Sequence, residues 1–131
     1  MKKALLLSLA AMIILASCKK DKETEVTEIS LKGKWNVQST QIKGFQNNIM
    51  VENVTIPGNG ATIDFQNNGT AVMTHDGVVE SHPYTIQPGS KVDIDGDINE
   101  IRNLTASSVT LFFRNENSPG EYDEFLEDLK R

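Results

Sequence analysis

The sequence predicts an all-β domain of eight or nine short antiparallel strands, arranged as a sandwich or a barrel. Two observations carry this. From Leu31 onward apolar residues recur at every second position, which puts one face of a strand on a core and the other in water. Turn-forming pairs separate these runs at intervals of about 8–12 residues, the rhythm of antiparallel all-β domains and not of βαβ units. Gly and Asn are frequent in this region and helix formers do not dominate it, which points the same way.

The elements follow in order. Trp35 and Val37 alternate with Asn36 and Gln38, giving a strand over 34–42, and a second is expected over 49–56. Ala61, Ile63 and Phe65 alternate with Thr62 and Asp64 (61–67), and Ala71, Met73 and His75 share one face of 70–76. Further strands are expected over 78–87, 91–95, 98–104 and 107–114, where Val109, Leu111 and Phe113 alternate and Phe112 breaks the pattern. The turns are Pro57-Gly58-Asn59-Gly60, Asn67-Asn68-Gly69, Asp76-Gly77, Pro88-Gly89 and Asp95-Gly96, pairs that tolerate positive φ in tight hairpins. Pro83 cannot donate to a ladder, so the fifth strand is expected to lie at an edge or to bulge there. Residues 121–130 fit a short helix, but Phe125, Glu127 and Leu129 also fit one face of a strand. The strand is preferred because it covers an otherwise open edge.

The net charge of -5 and sequence pI of about 5.0 exclude the basic stripe that nucleic acid requires and the Lys/Arg cluster that docks on anionic lipid. A single Cys excludes an intrachain disulfide. Its context explains it. Lys2 and Lys3 precede an uncharged apolar run from Ala4 to Ala16, followed by Leu15-Ala16-Ser17-Cys18. A positive start, a short apolar core and small residues at a cut site mark a secretory signal, and the run falls short of the roughly 20 residues that span a bilayer. The Leu-Ala-Ser-Cys ending resembles the lipobox of bacterial lipoproteins. That resemblance implies cleavage after residue 17 and lipidation of Cys18 with diacylglycerol and a further acyl chain such as palmitate. Burial at roughly 0.8 kcal/mol per CH₂ then holds the protein on a membrane. Residues 18–29 are highly charged and read as a flexible tether. Lys19 at the position after the cysteine, by the same resemblance, implies the outer membrane, at its periplasmic face or the cell surface.

Gly33-Lys34-Trp35 opens the first strand, and Gly-x-Trp at that place resembles the lipocalin signature. With Asn68-Gly69-Thr70, Leu104-Thr105 and Val109-Thr110-Leu111, residues 30–131 are similar to the lipocalin-like lipoprotein domains of Bacteroidetes. The resemblance implies an eight-stranded up-and-down β-barrel in which Trp35 plugs the closed end and Arg131 or Lys130 covers its ring. It also implies a cup that holds one small apolar ligand, with Val37, Ile63, Phe65, Met73, Ile86, Leu111 and Phe113 as candidate lining. The same residues fit plain core, and a filled barrel would act instead through a protein partner at its loops or strand edge.

Three constellations hold residue types capable of chemistry. Asp93 to Glu100 is densely acidic, but counting from Asp93 an EF-hand loop needs Gly and Glu where Ile98 and Leu104 stand, so the segment reads as a hairpin turn. His75 and His82 flank the Asp76-Gly77 turn, and a metal site needs three or four ligands. Ser81, His82 and Asp76 lack a nucleophile elbow and an oxyanion loop. The expectation is a monomeric, membrane-anchored binding protein, with no enzyme activity, no cofactor and no metal.

Overall fold

The computed structural model describes residues 31–131, so the expected signal peptide, the expected lipidation at Cys18 and the expected tether lie outside the described residues. Every described element is a strand: β1 Gly33–Gln46, β2 Ile49–Pro57, β3 Thr62–Phe65, β4 Thr70–His75, β5 Val78–Gln87, β6 Lys91–Ile94, β7 Asp97–Arg102, β8 Ser108–Ser118 and β9 Glu121–Lys130. Neighbours in the sheet follow the order β2-β1-β3-β4-β5-β6-β7-β8-β9, and β1 pairs with β9. All pairings are antiparallel. The β1–β9 pairing closes an eight-stave up-and-down barrel of lipocalin-like form, in which β2 and β3 together make one stave. Both lie on the same side of β1, β3 against Gly33–Asn36 and β2 against Ser39–Gln46.

The break in that stave is a loop held close against β1. Residues 58–61 loop out between β2 and β3, tied to β1 by Gly58 N–H donating to Gln38 O (3.0 Å) and Val37 N–H donating to Ala61 O (2.9 Å). A Cβ at Gly58 would lie 1.8 Å from the Val37 carbonyl oxygen, so only glycine fits. On its other side β1 bulges between Val37 and Ser39 against β9. One extra residue shifts the parity of a strand. Trp35 and Val37 face inward before the bulge; Thr40 and Ile42 share the inner face after it.

The closed end holds the core. Leu31, Trp35, Phe65, Val92 and Leu129 are fully buried there. Trp35 Nε1 donates to Leu31 O at 2.7 Å. The Arg131 guanidinium lies 4.0 Å from the indole centroid and donates to the carbonyls of Lys32 and Ala106. Gly33 adopts φ +107°, and a Cβ there would already touch Arg131 Nη1. Phe65 and Tyr84 meet edge to face at 5.1 Å, and the Tyr84 hydroxyl donates to Gln66 O at 2.7 Å.

The turns match the sequence expectation and residues 121–130 form the closing strand; the meander departs from a plain up-and-down order only at β2, which pairs with β1 and not with β3. Two strands run further than expected. β1 continues to Gln46 and turns through Asn47 and Asn48, both at positive φ; β8 continues to Ser118. With β2 and β9 they form a four-stranded apron, ordered β2-β1-β9-β8, beyond the shorter staves. Phe112 faces outward, yet is only 8% exposed because the Arg102 guanidinium lies 3.7 Å over its ring. Pro83 sits where β5 leaves β6: its carbonyl accepts from Asp95 N–H, and the ladder to β6 begins one residue later at Tyr84. Backbone groups of one strand residue point to one side, so the ring nitrogen faces the side where no further rung forms.

Candidate ligand-binding cavity

Above the core the barrel is not filled. A cavity of about 350 Å³ opens to solvent, walled by Ile63, Met73, Ile94, Leu111, Phe113 and Phe125, with polar groups from Thr40, His82, Asp95, Asp97, Asn99 and Glu127. A second lobe of about 320 Å³ lies under the β2–β3 loop and shares Thr40, Ile63, Met73 and Glu127 with the first.

Register explains the lining, because residues opposite one another in an antiparallel pair share a face. One row crosses the apron as Val54, Ile42, Phe125 and Phe113. The next, nearer the core, is Ile56, Thr40, Glu127, Leu111 and Ile101. Glu127 is thus the one acid in a row of apolar residues and a threonine, at the junction of the two lobes. Burial raises its pKa: desolvation disfavours the carboxylate, and among the described residues no neighbouring cation pulls the value back.

The mouth carries a polar chain. His75 Nε2 lies 4.0 Å from Glu80, Glu80 lies 3.5 Å from His82 Nε2, and His82 Nδ1 shares a 3.2 Å hydrogen bond with Asp95. The Asp95 bond raises the His82 pKa; burial opposes the rise and Glu80 adds to it. Among the described residues no three His, Cys, Asp or Glu side chains converge as a metal site. The Asp93–Glu100 segment is a two-residue hairpin turn at Asp95-Gly96, with Gly96 N–H donating to Asp93 Oδ1 at 2.8 Å. Asp76 stands at the tip of the β4–β5 hairpin and Ser81 opposite Val72.

Of the candidate lining residues, Ile63, Met73, Leu111 and Phe113 wall the first lobe and Val37 the second. Phe65 and Ile86 do not line either lobe: Phe65 is sealed in the core beneath them and Ile86 packs against that core. Their strands reach the closed end, where facing side chains fill the narrowing barrel. Sequence reasoning did not select Thr40, Phe125, Asp97, Asn99 or Glu127 as lining. The signal for Glu127 was there, an acid midway between Phe125 and Leu129 on one face of the last strand. Comparison with protein-family models, with curated proteins and with solved structures yields no match.

Proposed function

We propose that this chain is a membrane-anchored lipoprotein whose barrel binds a small apolar or amphipathic molecule. The observation that supports binding is the open, largely apolar cavity of about 350 Å³ above an intact core, within the range of about 300–1,000 Å³ typical of ligand pockets. Support for the anchor is the sequence of residues 1–18; no helix among the described residues is long and apolar enough to cross a membrane. Apolar bulk would leave water for the Phe113–Phe125 wall, and the polar mouth would orient it.

Native mass spectrometry of the full chain, expressed in a double-membraned bacterium and purified from its membranes, tests both parts. The expected result is a mature mass lacking residues 1–17 and bearing acyl chains, with a further mass that leaves on denaturation. Cys18→Ala is expected to remove the acyl mass and leave the releasable one. A bare barrel after exposure to fatty acids, sterols and amines would overturn ligand binding. It would favour the second reading, a protein partner at β2, whose outer edge pairs with no described strand and which exposes Ile49, Met50 and Val51.

A further inference from the structure

The charges around the cavity point to one class of ligand. Glu127 lies between Thr40 and Leu111 in register, where the two lobes meet. The titratable groups facing it are Asp95, Asp97 and His82 in the first lobe and His75 and Asp76 in the second. Glu80 stands beside both histidines. Among the described residues, neither lobe has Lys or Arg in its wall. The positive charge that His82 or His75 can carry already faces Glu80, and for His82 also Asp95, so among the described residues no unpaired cation in the walls is left to receive a carboxylate ligand. A carboxylate brought in here would meet like charge, and as the ligand displaced water from the cavity that repulsion would cost more than in water.

The opposite holds for a cation. A desolvated carboxylate with no partner is costly, and an arriving ammonium offsets that cost with a charge-assisted hydrogen bond. The apolar remainder of such a molecule would lie against Phe113, Phe125, Ile63 and Met73. We propose that the barrel takes a cationic amphiphile, an amine on an apolar body, with its ammonium on Glu127. This rests on the cavity being a ligand site.

The test is isothermal titration calorimetry on the full chain at pH 7 with octylamine, octanol and octanoate, three probes of one chain length and three head groups. Octylamine is expected to bind roughly tenfold more tightly than octanol, as a charged hydrogen bond warrants, and octanoate more weakly than octanol. Glu127→Gln is expected to bring octylamine down to the affinity of octanol while octanol binding is retained, which also reports that the variant is folded. Octanoate binding best, or octylamine no better than octanol, would overturn the charge preference and leave the cavity reading standing. An amine preference that survives in Glu127→Gln would overturn the role of Glu127. Failure of all three probes on the wild-type chain would overturn the cavity reading itself. The wild-type ranking needs no variant, so a Glu127→Gln chain that did not fold would leave the proposal testable.

Discussion

Glu127 and His82 both carry raised pKa values, and the sign of each sets a pH dependence. For Glu127, burial favours the neutral acid. Its contribution to stability is full below the ordinary value near 4.5 and is lost as pH rises through the raised one. Glu127→Gln removes that loss, so urea unfolding is expected to show a gain of about 1 kcal/mol at pH 7 that vanishes toward pH 4. A variant less stable than wild type at pH 7 would mean that the carboxylate is favourably held. His82 gains its rise from Asp95, then Glu80. A base with a raised value stabilises the fold fully below its unfolded pKa of 6.5 and loses that contribution as pH rises through the folded one. The two contributions therefore run in the same direction, favouring the acid side of neutrality.

At the scale of elements, the decisive feature is the double irregularity at Val37: a bulge toward β9 on one side, the β2–β3 loop on the other. It keeps Trp35 and Val37 in the plugged half and brings Thr40 and Ile42 to the inner face of the apron. Gly58 makes the close approach possible. Gly58→Ala is expected to cost about 3 kcal/mol, since backbone must move to admit the methyl group. Gly60→Ala, in the same loop with φ +82° and no atom within 4 Å of the added carbon, is expected to cost about 1 kcal/mol through conformation alone. Thermal or urea unfolding of the two variants side by side checks this, and equal losses would count against the steric account.

Over the whole molecule, stability is distributed by how many staves flank each strand. β9 is paired on both sides along most of its length, with β1 and with β8. β2 is paired on one side only, and residues 78–82 of β5 have β4 but no β6 opposite. Hydrogen exchange followed by mass spectrometry is expected to show the slowest amides in β9 and the adjoining half of β1, and the fastest strand amides in β2 and 78–82. Protection in β2 equal to that in β9 would show that a second strand covers the β2 edge. Closure also joins the first strand to the last, a long-range pairing that slows folding relative to local hairpins.

Much of this was legible in the residues. Two-residue alternation and Asn-Gly or Asp-Gly turns are local, so the sequence by itself determined the strands and the all-β class, but not that β2 and β3 both pair with β1 instead of with each other. The plug role of Trp35 came only from what the Gly33-Lys34-Trp35 resemblance implies, and in the structure Trp35 is fully buried with the Arg131 guanidinium over its ring. Strand ends at Gln46 and Ser118 were less legible, because the bulge at Val37 shifts the apolar period and Asn47-Asn48 is a weaker turn signal than Asn-Gly. Whether the inner face is filled depends on which side chains from non-adjacent staves meet at each level. That is a property of register and closure, and no single strand encodes it. Tertiary structure alone therefore decided that Phe65 belongs to the solid core and Ile86 packs against it, while Ile63, Met73, Leu111 and Phe113 border an open cup. The same closure set Glu127 into that cup, where burial raises the pKa of its carboxyl.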